Sequence, residues 1–324
     1  MVITKTPFRI SFVGGGSDLA DFYEQYEGAV LSTSIDKYMY ISTHVPFQKF
    51  IRAKYSKTET VNTTTELEHP IIKATLNQFN IKAPFEISSI ADIPSGTGLG
   101  SSSSFTVGML QNLHAFTKKE ADKELLANEA CNIEINILNE PIGKQDQYAA
   151  AYGGLKIYRF KSNGEVAIEP INLSASSFSE LQDNLLMFYA GEQRSASGIL
   201  ADQKKNMQQA DKVAILKDMV ALVDELKNVL EQDNLLGFGN LLHQNWLLKQ
   251  KLSTQISNTT INDIYNLGIK NGALGGKLLG AGGNGFLLFY CEADKQNQLR
   301  SALSNLQELN FNFDKDGSKI IFKD

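Results

Sequence analysis

Cysteine is nearly absent from this chain: Cys131 and Cys291 are the only two in 324 residues. That excludes a disulfide framework and makes a reducing cytoplasm the expected setting. Histidine is as sparse. His44, His69, His114 and His243 lack metal-ligand spacing, which argues against a zinc site or a histidine-centred triad. No apolar run reaches the length of a membrane span, and the strand-like pattern from Met1 gives no sign of a leader. Repeats and low-complexity tracts are missing too. A net charge of −5 provides no basic footprint for nucleic acid. The expected partner is therefore a small molecule, with neither membrane nor nucleic acid involved.

What the chain does have is 42% hydrophobic residues, enough for a large core, and a stretch reading PSGTGLGSSSS from Pro94 to Ser104. Glycine and serine alone would suit a flexible linker. The neighbours argue otherwise. Upstream, Phe85, Ile87, Ala91 and Ile93 alternate with Glu86, Ser88 and Asp92, the pattern of a half-buried strand. Downstream, Phe105, Met109, Leu113 and Phe116 recur at helical spacing. The serines thus open a helix, whose first N–H groups lack partners and carry partial positive charge. Glycines admit an oxyanion close to the backbone, and serine hydroxyls bind phosphate oxygens or a hard cation. The P-loop pattern GxxxxGK[ST] does not fit, because its lysine is missing. A tight, well-capped strand-to-helix connection is the simpler alternative to a phosphate site.

Two more glycine clusters occur. Phe8, Ile10 and Phe12 form a strand pattern running into Gly14-Gly15-Gly16-Ser17-Asp18, then an amphipathic segment with Leu19, Phe22, Tyr23 and Tyr26. Lys277 to Gly285 reads KLLGAGGNG before the apolar run Phe286–Tyr290. Between them the pattern predicts a hairpin over Ala29–Val45 turning at Asp36-Lys37, and a short helix over Pro70–Phe79. A long helix is expected over Ala121–Asn139, with Thr117 and Glu120 spaced as a capping box. A second hairpin should turn at Ser162-Asn163-Gly164. Strongly periodic helices are expected over Val213–Leu230 and Leu235–Leu252. The reading is α+β with two domains, residues 1–175 and 176–324, and a ligand cleft between them. Trp246 and its apolar helix suit either a core or a homodimer interface.

The remaining chemistry lies in NIEINILNEPIGKQDQYAAAYGG, Asn132 to Gly154. Glu134 falls mid-helix and Asp146 just beyond the Pro141 stop, where a solvated acid and a turn aspartate are the ordinary readings. Phosphoryl transfer needs a metal-bound triphosphate and often a carboxylate that takes the hydroxyl proton. A serine-tipped helix, an acid for Mg²⁺ and a second acid for the hydroxyl would fill those roles.

Together these stretches resemble the GHMP family of small-molecule kinases, named for galactokinase, homoserine kinase, mevalonate kinase and phosphomevalonate kinase. The likeness covers essentially the whole chain. It implies a ribosomal protein S5 domain 2-like α/β sandwich followed by a ferredoxin-like α+β domain. PSGTGLGSSSS is similar to the family's phosphate motif, which places ATP on Pro94, Gly96, Gly98, Leu99, Gly100, Ser101, Ser102 and Ser103. Ser101 or Ser102, with Glu134, would hold Mg²⁺. KLLGAGGNG resembles the C-terminal glycine motif, with Leu279 and Asn284 departing from the usual residues. PFRISFVGGGSD is similar to the sugar-binding strand and loop. The implied catalytic pair is Asp146 as proton acceptor and Arg9, which would hold it ionised. Substrate contacts would fall on Gly15, Gly16, Ser17, Asp18, Gly143, Lys144, Gly282 and Gly283, and Arg194 would bind a distal phosphate. GGGSD, GAVLSTSIDKYMYI, GKQDQYAAAYGG and Gly191 to Ser197 point within the family to the branch phosphorylating the anomeric hydroxyl of a heptose phosphate. A fucokinase-like or other sugar 1-kinase, or a sugar sensor without turnover, are the alternatives.

Overall fold

The computed structural model describes residues 1–191, 198, 199, 202, 206 and 209–324. Two long strands form its spine. β1 (Val2–Val13) and β2 (Gly28–His44) pair antiparallel over almost their full length. Beyond Lys5 every residue of β1 is buried. This strand is therefore covered on both faces, and its alternation fades accordingly. The short helix α1 (Ala20–Tyr26) fills the connection between the two strands.

β2 corrects the expected hairpin at Asp36-Lys37: it is one continuous strand. Opposite those residues the β1 register jumps from Pro7↔Tyr38 to Phe8↔Ile35. Pro7 has no N–H to give the ladder, so a bulge absorbs Asp36 and Lys37 there. The Asp36 carboxylate accepts from the Asn312 backbone at 2.8 Å. Charged residues that look like a turn therefore fix a strand crossing instead.

β3 (Ile51–Lys54), β4 (Thr58–Val61) and β5 (Phe85–Ala91) extend the sheet beyond β2. β6 (Lys156–Phe160) and β7 (Val166–Pro170) form the expected hairpin and attach to the first half of β2. Helices α2 (Pro70–Gln78), α3 (Ser101–Phe116), α4 (Lys123–Cys131) and α5 (Gln145–Tyr152) complete this half. The capping box expected at Thr117 and Glu120 is not used. Asp122 caps α4, accepting from the Leu125 N–H at 2.7 Å, and Thr117 closes α3 by donating to the Leu113 carbonyl. The long helix expected to Asn139 also changes character, continuing as a π-helical segment over Asn132–Ile137. Such widened turns re-aim side chains, and here the segment carries Glu134.

The chain crosses to a second sheet after α6 (Ala175–Asp183). That sheet holds β8 (Leu185–Tyr189), β9 (Ala273–Leu278), β10 (Phe286–Cys291) and β11 (Gln307–Glu308), in the order β11-β8-β10-β9. Helices α7 (Ala210–Glu231), α8 (Leu235–Gln250), α9 (Thr259–Lys270) and α10 (Gln296–Ala302) accompany it. The last strands, β12 (Phe313–Asp314) and β13 (Lys319–Lys323), return to the first sheet beside β2 and β1. Among the described residues no helix is long and apolar enough to cross a membrane.

One apolar cluster runs through both halves, from Phe8, Ile10 and Phe12 to Leu242, Leu288 and Tyr290. Phe238 on α8 joins them, its ring 5.2 Å from Phe12 and 5.5 Å from Tyr290. Trp246, about two turns further along the same helix, is fully buried and so belongs to the core. Phe238→Ala should cost about 3–5 kcal/mol, read as a lowered urea midpoint. An unchanged midpoint would show that the two sheets do not depend on this shared core.

Candidate active site

The glycine–serine stretch forms one wall of a cleft of about 830 Å³ lined from both halves of the chain. It leaves β5, passes through left-handed backbone at Gly98 (φ +86°) and Gly100 (φ +74°), and enters α3 with no side-chain cap. The four serines divide by role. Ser104 turns back to donate to the Pro7 carbonyl at 2.8 Å, whereas Ser101, Ser102 and Ser103 line the cleft. Ser102 donates to Glu134 at 2.6 Å, and Gln147 donates to the other Glu134 oxygen at 2.8 Å. Glu134 is fully buried, so it is not the solvated helix acid of the simple reading. Burial pushes its carboxyl up, opposed by the Ser102, Gln147 and Ser103 hydrogen bonds.

Asp146 occupies the first turn of α5 rather than a loop. Arg9 from the middle of β1 grips it twice, Nε to Oδ1 and Nη2 to Oδ2, each at 2.7 Å. The third guanidinium nitrogen donates to the Gly98 carbonyl at 2.7 Å, and the Arg9 backbone N–H donates to the Leu99 carbonyl at 3.1 Å. A Cβ on Gly100 would lie 3.2 Å from both Arg9 and Asp146 Oδ2. The glycine loop is thus moulded directly onto the ion pair. Gln145 adds a further donor to Asp146 Oδ1 at 2.9 Å and is held in turn by the Ser11 hydroxyl at 2.8 Å.

Asp18 stands beside this pair at the end of the GGGSD loop. It accepts from the backbone of Gly16 at 3.0 Å and of Gln145 at 3.2 Å. Burial, then the neighbouring Asp146 charge, pushes its carboxyl up. Gly143 has to lack a side chain, since a Cβ there would fall 2.0 Å from Asp18 Oδ2. The same cleft includes an aromatic shelf: His69 stacks on Phe105 at 5.2 Å and meets Tyr55 edge-on at 4.7 Å, with Met39, Ile71 and Ile93 alongside. Burial lowers the His69 pKa and so favours its neutral ring.

Most expected site residues converge here: Arg9, Gly15, Gly16, Asp18, Pro94, Gly96, Gly98, Gly100, the three serines, Gly143, Asp146 and Gly282 line the cleft. Others do not. Leu99 is buried beneath the loop. Ser17 is a staple, donating to the Gly14 and Ala29 carbonyls and accepting the Ala29 N–H. The Lys144 ammonium turns away to the Gly164 carbonyl at 2.7 Å and over the Tyr23 ring, while its backbone N–H reaches the Asp18 carbonyl. Gly283 faces Ile256 and Asn258. Arg194 lies outside the described residues.

Sequence reasoning missed Lys249, Gln145 and the aromatic shelf. Lys249 had a visible signal: it continues the buried stripe Phe238, Leu242, Trp246 on α8. Its residue is 6% exposed, and its ammonium donates to the Gly280 carbonyl. Burial pulls its pKa down to about 8, the Arg9 charge adds to that, and Asp18 and Asp146 oppose it.

A glycine–serine loop at a helix tip beside an arginine-clamped carboxylate, in a cleft lined from both halves, is the arrangement of a two-domain small-molecule phosphotransferase. Comparison with known proteins agrees. The description "GHMP kinases N terminal domain" matches residues 62–154, and "GHMP kinases C terminal" matches residues 222–309. The chain belongs to the GHMP kinases, with the two-domain α+β fold expected of them. It is 28% identical to a D-glycero-alpha-D-manno-heptose 7-phosphate kinase from Campylobacter jejuni, over 98% of this chain and 97% of that protein. It is 24% identical to a bifunctional fucokinase/GDP-fucose pyrophosphorylase from Arabidopsis thaliana, over 94% of this chain and 31% of that protein. In fold it matches a D-glycero-D-manno-heptose 1-phosphate kinase from Bacteriodes thetaiotaomicron with a TM-score of 0.83 at 23% identity, covering 100% of this chain and 99% of that one.

Packing between the two glycine loops requires a glycine at Gly98. A Cβ there would lie 2.5 Å from the Leu279 carbonyl oxygen, and one on Gly280 would lie 2.4 Å from the Gly98 Cα. Gly98→Val should therefore lower stability, by about 1–3 kcal/mol from its positive φ alone, and by more from the clash. Thermal melting checks this. A wild-type melting temperature with weakened nucleotide binding would leave phosphate approach as the sole role of Gly98.

Proposed function

We propose that this GHMP kinase is a sugar kinase that transfers the γ-phosphoryl group of ATP to the anomeric hydroxyl of D-glycero-D-manno-heptose 7-phosphate, giving the 1,7-bisphosphate. The observation that carries this reading is the Arg9–Asp146 pair with Asp18 beside it, set against the serine-tipped helix. Full-length similarity to the Campylobacter jejuni heptose 7-phosphate kinase supports the choice of acceptor.

In this reading the first-turn N–H groups of α3 and the glycine loop cradle the phosphates. Asp18 accepts hydrogen bonds from sugar hydroxyls. Asp146 takes the anomeric proton, and the bidentate Arg9 fixes the carboxylate plane while its oxygens receive that proton. The phosphates of ATP travel with a divalent cation, which prefers oxygen ligands. Ser102 and Glu134 fit such a cation: they are hydrogen-bonded to each other at the tip of α3, and the Gln147 amide oxygen beside them is buried without a partner among the described residues. Ser102, whose hydroxyl reaches Glu134, is favoured over Ser101. Mg²⁺ bound there would supply positive charge between the phosphates. A 7-phosphate also needs a cation at the far end of the sugar, and Arg194 is the sequence candidate.

An ADP-release assay over a sugar and sugar-phosphate panel tests the acceptor. Heptose 7-phosphate should be strongly preferred over free heptose, fucose and galactose. Equal or faster turnover of an unphosphorylated hexose would favour the second reading, a fucokinase-like sugar 1-kinase, for which the similarity to the Arabidopsis thaliana fucokinase speaks.

Asp146→Asn should reduce kcat by roughly 10²–10⁴-fold, the usual size of general-base catalysis, while the affinity for a nucleotide analogue changes little. Wild-type turnover in that variant would remove Asp146 from the mechanism.

A further inference from the structure

Lys249 has no part in the chemistry described so far. Helix α8 delivers it from the core: Phe238, Leu242 and Trp246 on the same stripe are fully buried, and Lys249, next along it, lines the cleft. An ammonium has three donors, and among the described residues Lys249 uses one, on the Gly280 carbonyl. Gly280 is the residue whose backbone meets Gly98. The charge therefore stands where the two glycine loops touch, within the fields of Asp18 and Asp146.

Transfer of a phosphoryl group demands positive charge on its equatorial oxygens. Arg9 and Lys249 are the lysine and arginine side chains that line the cleft among the described residues. Arg9 is committed through all three nitrogens to Asp146 and Gly98. Lys277, buried nearby, spends its ammonium on the Ser11 and Phe12 carbonyls. Lys249, with two of its three donors uncommitted among the described residues, is the cleft cation not already locked onto Asp146.

We propose that Lys249 is a catalytic residue whose ammonium binds an oxygen of the phosphoryl group as it passes from the nucleotide to the acceptor. The bond from phosphorus to the bridging oxygen of ADP breaks, and the bond to the acceptor oxygen forms. The acceptor proton goes to Asp146, and Lys249 stays protonated throughout. This role rests on the kinase reading above and deepens it.

Lys249→Met, assayed with whichever acceptor the wild type phosphorylates fastest, should lose about 10²–10³-fold in kcat, the scale of removing one transition-state donor. The KM values for nucleotide and acceptor should move less than about threefold, since an interaction made in the transition state leaves ground-state binding alone. A wild-type kcat, or a raised acceptor KM with kcat intact, would overturn the proposal. A wild type that phosphorylates no sugar would instead overturn the kinase reading.

A second measurement needs no folded methionine variant. The groups facing Lys249 are Arg9 from β1, Asp18 after it, Asp146 on α5 and Lys277 on β9. The protonated form is the active one, so wild-type kcat/KM should fall as pH rises through about 8, because kcat/KM reports ionisation in the free enzyme. Lys249→Arg should retain its kcat/KM across that range, since a guanidinium stays charged. A fall through this range that persists unchanged in Lys249→Arg would sink the assignment, because the titrating group would then be another.

Discussion

The site depends on one ion pair. Arg9 lies in the middle of β1, where both faces of the sheet are covered, and an unpaired guanidinium there would be prohibitively costly. Asp146 resolves that cost with two charge-assisted hydrogen bonds. The pair then organises what surrounds it. The third Arg9 nitrogen donates to the Gly98 carbonyl, and Gly100 must be bare to let the loop close over both side chains. Strand, helix and glycine–serine loop are tied at a single planar contact.

That contact also determines how the carboxylate presents itself. Asp146 Oδ1 receives two donors, from Arg9 and Gln145, whereas Oδ2 receives one, from Arg9. A carboxylate oxygen has about two lone pairs to offer, so Oδ2 is the oxygen with acceptor capacity in hand. It is also the oxygen that faces Gly100 and hence the glycine–serine loop. Under the proposed chemistry, the acceptor hydroxyl therefore approaches from the side on which the phosphoryl group arrives. Ser11 contributes at one remove, because its hydroxyl orients the Gln145 amide so that the nitrogen points to Asp146.

How much of this could be read from the sequence follows from how local each signal is. The loop between Phe85–Ala91 and the helix after Ser101 was legible because strand alternation and helical spacing flank it on both sides. The β6–β7 hairpin and the helices α7 and α8 were legible for the same reason. Asp36-Lys37 misled, since charged residues in the middle of an apolar strand read as a turn until Pro7, on the partner strand, reveals the bulge. The π-helical segment was invisible: nothing in Asn132–Ile137 departs from the helix it continues, yet Glu134 within it is buried rather than solvated. Lys144 misled by proximity. It neighbours Gly143 and Gln145, which reach Asp18, yet its long stem carries the charge out to Gly164. Side-chain direction, unlike motif position, is set by packing that no short stretch encodes.

The second half of the chain contributes no carboxylate to the pair, yet it fixes the geometry of the first. The β1–β2 register shifts between Ser11 and Val13, and side chains of the second half bond the backbone carbonyls there. Lys277 from β9 takes those of Ser11 and Phe12, and Asn245 from α8 bonds both Phe12 and the Gly14 N–H. The strand that carries Arg9 is therefore anchored, just before the GGGSD loop, by side chains from across the molecule. A second anchor lies at the loops themselves, where Gly98 meets Gly280 and a Cβ on Gly285 would strike the Thr97 carbonyl at 2.4 Å. With β1 pinned at one point and its phosphate loop at another, the Arg9–Asp146 pair is confined between two contacts made by the same distant segment. Interiors packed at this density do not deform smoothly. Displacing KLLGAGGNG would thus move the phosphate loop and the carboxylate together, which is the physical reason a glycine cluster so far along the chain belongs to the same site.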